Sequence, residues 1–167
     1  MARRAFAVLM SRSLMSVVGV AAMTAVMPLA AKTFKWSSAS DIPTWDVHSQ
    51  NNALGNGVHA SVYEALFSYN QKFDIEPVLA SGYKQLNPTQ VRISLRQGVK
   101  FHDGAAFNAD DVVFSLNRAM AKTSNYGVYT QGIDRIVKVD DFTVDILTKS
   151  PNPVLIRQLP ELRRLDK

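Results

Sequence analysis

The stretch that decides the fold runs from Leu95 to Leu116 and reads LRQGVKFHDGAAFNADDVVFSL. Its second half predicts a helix that begins after Asn108, because an asparagine side chain can accept a hydrogen bond from the free N–H groups of a first helical turn. Asp110 and Asp111 stand in that turn, where carboxylates interact favourably with the helix dipole. The apolar residues that follow have the spacing of one core-facing stripe. They are Ala109, Val112, Val113, Leu116, Ala119 and Met120.

The first half of the stretch predicts a strand and then a turn into this helix. Residues 91–95 alternate apolar and polar side chains, as a half-buried strand does. Residues 83–86 precede them across the turn residues Asn87-Pro88, so we expect a hairpin. Gly104 ends the run Phe101-His102-Asp103-Gly104, and glycine readily adopts the positive φ of such a turn.

Upstream, residues 52–69 carry apolar side chains at steps of four from Leu54 onward, which predicts a helix with one apolar face. Gly55 and Gly57 weaken its first turn, so we expect the ordered helix to begin near Val58.

Three further segments are predicted to be strands. Residues 33–37 alternate polar and apolar side chains, and residues 136–139 and 142–147 flank a two-residue turn at Asp140-Asp141. The resulting order, β-α-ββ-α-ββ, is typical of a mixed α+β domain rather than of repeating βαβ units.

Residues 1–31 predict a cleavable signal peptide, because a basic start, an apolar stretch and small residues follow one another. These features are Arg3, Arg4 and Arg12, then residues 14–27, then Ala30-Ala31. A transmembrane anchor is the alternative, but the apolar stretch is shorter than the roughly 20 residues that span a bilayer. We therefore expect residues 32–167 to form the mature domain and to be periplasmic.

The placement of charge excludes a nucleic-acid partner. The formal net charge is +5, from 19 basic and 14 acidic residues. Three of the basic residues and none of the acidic ones lie in residues 1–31, and the remaining charges are interspersed. A protein that binds phosphates clusters its positive charge on one face or along one helix.

The sequence offers no catalytic or metal-binding constellation. It has no cysteine, which excludes disulfides, thiolate metal sites and cysteine nucleophiles. Its histidines, His48, His59 and His102, lack the i, i+4 spacing of zinc hydrolases, and no serine stands in a G-x-S-x-G motif. We therefore expect a binding protein rather than an enzyme, without a cofactor or a metal site.

The stretch from Leu95 to Leu116 resembles the segment LR-x-GVKFHDG-x-PF-x-A-x-DVVFS of family 5 solute-binding proteins, which serve peptide and nickel ABC transporters. Ala106 departs from it, since the family usually has proline there. Four other segments are also similar to the family: residues 46–51, 62–66, 76–80 and 139–144. The resemblance gives a structural role to the signature residues Phe101, His102, Asp103, Gly104, Phe107, Asn108, Asp111, Val112, Val113, Phe114 and Ser115.

This resemblance implies a monomeric extracytoplasmic receptor that captures a short peptide or related small solute and delivers it to an ABC permease in the inner membrane. Such receptors have two lobes that close on the ligand. Residues 32–167 would form the N-terminal portion of lobe one, in a truncated chain from which the second lobe is absent. The implied ligand contacts are Ser49, Gln50, Asn51, Asn125 and Tyr126.

The leading hypothesis is therefore the substrate-binding component of a dipeptide or oligopeptide transporter, incomplete in this chain. One alternative ligand is a nickel chelate or another small solute. Another alternative is a secreted fragment that is nonfunctional or docks with other proteins through uncovered apolar surface. An exported hydrolase that uses His102 and Asp103 is a third.

Overall fold

The fold of the described residues is an α+β arrangement, as predicted. The computed structural model describes residues 37, 38 and 40–163, so the predicted signal peptide and all but Ser37 of the predicted strand at 33–37 lie outside them. The elements are α1 (Ala53–His59), β1 (Phe67–Tyr69), β2 (Ile75–Pro77), β3 (Ala80–Asn87), β4 (Gln90–Leu95), α2 (Ala109–Met120), α3 (Gly127–Thr130), β5 (Ile133–Asp140), β6 (Thr143–Thr148), α4 (Leu155–Gln158) and a 3₁₀ turn (Leu159–Glu161).

A four-stranded antiparallel sheet with the order β3-β4-β6-β5 forms the centre. Its inner strands, β4 and β6, pair without interruption, and Ile93 lies opposite Val144 while Val91 lies opposite Ile146. All four side chains are buried, because successive residues of a strand point to opposite faces and these share one face. The outer strands β3 and β5 each pair with two register irregularities.

The two predicted hairpins are confirmed. β3 and β4 are joined at Pro88-Thr89, one residue later than the predicted Asn87-Pro88, since Asn87 pairs with Gln90. The turn between β5 and β6 lies one residue later than predicted, because Asp140 pairs with Thr143. The Asp140 carboxylate also accepts a hydrogen bond from the Phe142 N–H at 2.8 Å, which fixes Asp140 as the last strand residue.

Helix α2 begins where the sequence predicts. The Asn108 side chain accepts from the Asp110 N–H, and the Asp111 carboxylate accepts from the Asn108 N–H, both at 2.8 Å. This is a capping box, which satisfies donors that a helix start leaves free. The Ala109 N–H donates to the carbonyl of Asp141 at 2.9 Å. The predicted stripe faces the core, with Ala109, Val112, Leu116 and Ala119 buried and Val113 and Met120 packed against them.

The predicted helix over 52–69 is wrong in extent. α1 occupies only Ala53–His59, the part that contains both glycines, because the Asn52 side chain caps it by accepting from the Gly55 N–H at 2.8 Å. Farther on, the carbonyl of Leu66 accepts from the amides of Val78 and Ala80 at 3.0 Å. Tertiary pairing therefore outweighs the helical spacing, and residues 67–69 form a strand. Leu66 is nevertheless buried, as the apolar pattern indicates.

Candidate ligand-binding site

Two loops lie side by side at one end of α2. The first, residues 46–51, precedes α1, and the second, residues 123–126, follows α2. The Asn125 N–H donates to the carbonyl of His48 at 3.0 Å, and the Ser124 hydroxyl donates to the same carbonyl at 3.3 Å. The Asn125 side-chain amide donates to the carbonyl of Ser49. We call these two loops together with Arg118 the loop cluster.

The loop cluster brings together residues that the family resemblance names as ligand contacts. Tyr126 donates from its hydroxyl to the Asn56 side chain at 2.7 Å, and the Asn56 amide donates to the Asn51 side chain at 3.0 Å. Ser49 and Asn125 are joined directly, as described above. Four of the five predicted contacts are thus connected in pairs by hydrogen bonds. Ser49 and Asn125 form a pair, and Tyr126 is linked to Asn51 through Asn56. The fifth, Gln50, lies between Ser49 and Asn51 in sequence.

These residues differ in how far they can reach a solute. Asn51 and Asn125 are exposed, and Ser49 and Gln50 are half-buried. Tyr126 is only 2% exposed, and burial raises the pKa of its phenol. The hydroxyl of Tyr126 is therefore a neutral donor already used by Asn56, which makes Tyr126 a support for the loops.

An Asp–Arg pair fastens the first loop to α2. The Arg118 guanidinium, in the last turn of the helix, donates to both carboxylate oxygens of Asp46 at 2.7 Å. The His48 N–H also donates to Asp46, at 3.1 Å. Hydrogen bonding from Arg118 is the largest cause that lowers the pKa of Asp46 from 3.8 to about 2. Asp46 is therefore an anion at neutral pH.

His48 completes this arrangement from the core side. Its ring is buried and packs edge-on against the ring of Tyr126, with centroids 5.6 Å apart. Arg118 Nη1 lies 3.2 Å from His48 Nδ1. Because a guanidinium only donates, Nδ1 must accept, and the imidazole carries no proton on that nitrogen.

A cavity of about 100 Å³ opens within the loop cluster, lined by Asp46, His48, Ser49, Arg118, Thr123 and Ser124. Small-molecule pockets commonly enclose roughly 300–1,000 Å³, so this cavity fits waters or one polar end of a solute. The loop cluster by itself therefore forms no pocket that would enclose a whole solute. Within residues 40–163, no group of three or more His, Asp or Glu side chains is placed to hold a metal ion.

A second cavity, of about 400 Å³, lies between residues 60–64 and the signature turn. Its lining includes His102, which is exposed. The neighbouring Asp103 carboxylate accepts from the Ala105 N–H at 2.9 Å and so stabilises the turn. No hydrogen bond joins His102 to Asp103 in the described part of the chain, so the geometry lends no support to the hydrolase hypothesis.

The signature residues shape the turn and the helix that carries Arg118. Gly104 has the predicted positive φ, +94°, and Phe101 packs edge-on against Phe107 with centroids 6.0 Å apart. Asn108 and Asp111 form the capping box described above. The remaining signature side chains of α2 are buried or half-buried, apart from Phe114, which is 40% exposed. They are Val112, Val113 and Ser115.

Sequence reasoning missed Asp46, Arg118 and Asn56 as parts of this site. Asp46 lies in a segment that resembles the family, but no local pattern marks its partner. Arg118 is 72 residues away, and one isolated charge on the polar side of a helix carries no pairing signal. Asn56 lies within a segment whose helical start was placed too late.

Comparisons with known proteins identify the family that the chain resembles. Residues 74–165 match the family described as bacterial extracellular solute-binding proteins, family 5 Middle. The glutathione-binding protein GsiB of Salmonella typhi is 35% identical over 150 residues, which are 87% of this chain and 29% of that protein. The chain therefore spans less than a third of the length of this curated relative.

Solved structures of two-lobed periplasmic binding proteins share the fold. The protein AgaA of A. tumefaciens R10, in complex with agropinic acid, has a TM-score of 0.68 at 27% identity, over 75% of this chain and 26% of that one. The protein NikA of Staphylococcus aureus, in complex with Ni(L-His)2, has a TM-score of 0.59 at 31% identity, over 64% and 23%. The described residues correspond to part of one lobe of such proteins.

Proposed function

This chain belongs to family 5 of the bacterial extracellular solute-binding proteins, and from that membership we propose that it forms one wall of the ligand site of a receptor for dipeptides or oligopeptides. The observation that carries the proposal is the loop cluster, in which two loops 76 residues apart in sequence are hydrogen-bonded together. Ser49 lines the small polar cavity between the loops, and Gln50, Asn51 and Asn125 lie on the same two loops, with both asparagines exposed.

The chemistry of this wall suits a peptide backbone. Hydroxyl and carboxamide groups both donate and accept hydrogen bonds, as a peptide bond does. Asp46 and Arg118, the two charged side chains of residues 46–51, 118 and 123–126 apart from His48, are paired with each other, so neither is free to select an ion. GsiB is named for glutathione, a tripeptide, whereas AgaA and NikA bind agropinic acid and a nickel–histidine complex. Peptides are the ligand class that the exposed amides favour among these.

We further propose that residues 1–31 direct export to the periplasm and that the receptor delivers its ligand to an ABC permease in the inner membrane. In residues 37–38 and 40–163, no helix is long and apolar enough to cross a membrane. Fusing residues 1–31 to a reporter and fractionating the cells would test export, and reporter retained in the cytoplasm would contradict it.

The ligand proposal is tested with a chimaera, because one wall buries only part of a solute. The matched residues of this chain replace the corresponding segment of GsiB, and calorimetry measures binding of glutathione and of a tripeptide. Replacing both Asn51 and Asn125 with alanine should weaken tripeptide binding about tenfold or more. The matched control is Asn117→Ala, an exposed asparagine on α2, which should leave affinity unchanged.

The proposal would be contradicted if the chimaera folds and its affinities for both peptides are unchanged by the Asn51 and Asn125 substitutions. If the chimaera binds Ni(L-His)2 but neither peptide, the ligand is a nickel chelate and not a peptide. The alternative of a secreted fragment that docks with other proteins stays a prediction.

A further inference from the structure

We propose that Arg118 and Asp46 position the first loop of the site and that Arg118 does not receive the carboxylate of a ligand. An arginine beside a peptide site would ordinarily be assigned to a carboxylate, because its fork of N–H groups matches two oxygens. Here that fork is already occupied by Asp46. What the loop binds rests on the proposed function, whereas the positioning role rests on contacts within the chain.

Asp46 is the centre about which the first loop is folded. Its carboxylate accepts from the His48 N–H at 3.1 Å, and its own N–H donates to the Thr44 hydroxyl at 3.0 Å. Its carbonyl accepts from the Ser49 N–H at 3.2 Å and from the Ser49 hydroxyl at 3.0 Å. A single anchor on Asp46 therefore fixes the backbone through Ser49, the first of the predicted ligand contacts.

Arg118 supplies that anchor from a rigid element. It lies in the last turn of α2, whose start is capped and whose stripe is buried. It also donates to His48 Nδ1 at 3.2 Å, so two residues of the loop are held by one guanidinium. The second loop then attaches to the first through the carbonyl groups of His48 and Ser49.

The partial exposure of the pair indicates that its contribution is geometric. The side chains of Arg118 and Asp46 are 36% and 35% exposed, and ion pairs open to solvent add little to global stability. The loop cluster has no strand pairing of its own in the described residues, so individual contacts such as this pair fix where the loop lies. A preformed loop binds a ligand without first being ordered, which raises affinity.

A second Asp–Arg pair provides a matched control. Arg92 donates to both oxygens of Asp145 at 2.7 and 2.8 Å. These two residues are also register partners on β4 and β6, so the backbone ladder holds them in place without the ion pair. Losing this pair should move no loop.

The experiment measures amide hydrogen exchange in the full 167-residue chain. Arg118→Gln should speed exchange at the amides of Ser49 and Asn125 about tenfold, because their acceptors lie in the loop that Arg118 holds. The Leu95 amide, which donates to Phe142 across the sheet, should be unaffected. Arg118→Lys should restore protection only in part, since an ammonium lacks the fork. Arg92→Gln should leave Ser49 and Asn125 protected.

Protection at Ser49 and Asn125 that stays within about twofold in Arg118→Gln would overturn the proposal. If Arg118→Gln instead unfolds the chain, so that Leu95 also exchanges, Asp46→Asn is measured in its place. The asparagine keeps the size and an acceptor for His48, and the same loop-specific loss is expected. Loop protection that survives in the folded Asp46→Asn chain would likewise overturn the proposal.

A second arm separates positioning from direct recognition. In the chimaera, Arg118→Gln should weaken a tripeptide and its C-terminal amide equally, by about tenfold. A loss confined to the peptide with a free carboxylate would show that Arg118 receives that group, and would overturn the proposal. If no peptide binds, the proposed function fails while the exchange measurement still decides the positioning role.

Discussion

Two regions of the molecule are held together by different kinds of contact. One is the sheet packed on α2, and the other is the loop cluster. In the sheet, β4 and β6 pair along an uninterrupted run of register partners, with backbone hydrogen bonds at alternate pairs, and the buried face packs on α2. In the loop cluster, side chains and single backbone amides connect residues 70 to 76 positions apart. Many repeated contacts tolerate the loss of one, whereas a few individual contacts do not. We therefore expect core changes to alter stability and loop changes to alter local order.

The largest effect should come from the buried face of the sheet. Ile146 lies fully buried on β6, and Ile146→Ala should lower the free energy of unfolding by roughly 2–5 kcal/mol through lost burial and the cavity left behind. Urea denaturation measures this change. The control Val62→Ala removes methyl groups from a side chain that is 40% exposed, and it should cost at most about 0.5 kcal/mol. Equal losses of stability in Ile146→Ala and Val62→Ala would contradict the expected difference between core and surface positions.

The two Asp–Arg pairs should differ in energy although their geometry is similar. Asp145 is 7% exposed and accepts from Gln90 as well as Arg92, and Asp145→Asn should cost about 1.5–3 kcal/mol, the range for hydrogen bonds to charged groups. Asp46→Asn should cost roughly 0.2–1 kcal/mol, because the Asp46 side chain is 35% exposed. The urea midpoints of both variants measure these losses of stability. A larger loss for Asp46→Asn than for Asp145→Asn would contradict the prediction.

The capping box of α2 should contribute an intermediate amount. Asn108→Ala removes the acceptor for the Asp110 N–H and should lower the free energy of unfolding by about 1 kcal/mol. Asn117→Ala, on the exposed side of the same helix, serves as the control and should have little effect. An Asn108→Ala protein as stable as the parent would mean that the cap adds nothing to the packed stripe.

The smallest expected effect is the pH dependence of the loop anchor. The pKa of Asp46 is about 2 in the folded chain, below its ordinary 3.8. A lowered pKa adds stability above the unfolded value, and this contribution is lost as the pH falls through about 2. Titrating the Asp46 carboxyl carbon by NMR should show that midpoint, and Arg118→Gln should raise it towards 3.8. A midpoint that is the same in both proteins would show that Arg118 does not stabilise the carboxylate.

Periodicity and capping residues account for what could be predicted of the fold. Asn108 placed the start of α2, and alternation in residues 91–95 placed β4. The helix over 52–69 failed because steps of four in an apolar pattern cannot reveal that the Leu66 carbonyl pairs with Val78 and Ala80. The turn at 141–142 was misplaced by one residue because two consecutive aspartates allow either register.

The candidate site was predicted only through family resemblance. That resemblance named Ser49, Asn51, Asn125 and Tyr126, which do lie together, but their contact with a ligand stays a prediction. No pattern in a single sequence connects Asp46 with a lone arginine 72 residues away. Such a pair depends on how the loop and α2 are placed by the core, so it can be found only after the fold is known.

The irregular pairing of β3 and β5 has a consequence for behaviour at high concentration. Both strands lie at the borders of the sheet, where unpaired backbone groups can recruit a strand from another molecule and start aggregation. Bulges twist such a border and interrupt its ladder. β5 also carries the charged residues Asp134, Arg135, Lys138 and Asp140. The same register shifts that break the regularity of the sheet thus discourage intermolecular β-pairing, while the uninterrupted β4–β6 ladder stays shielded between them.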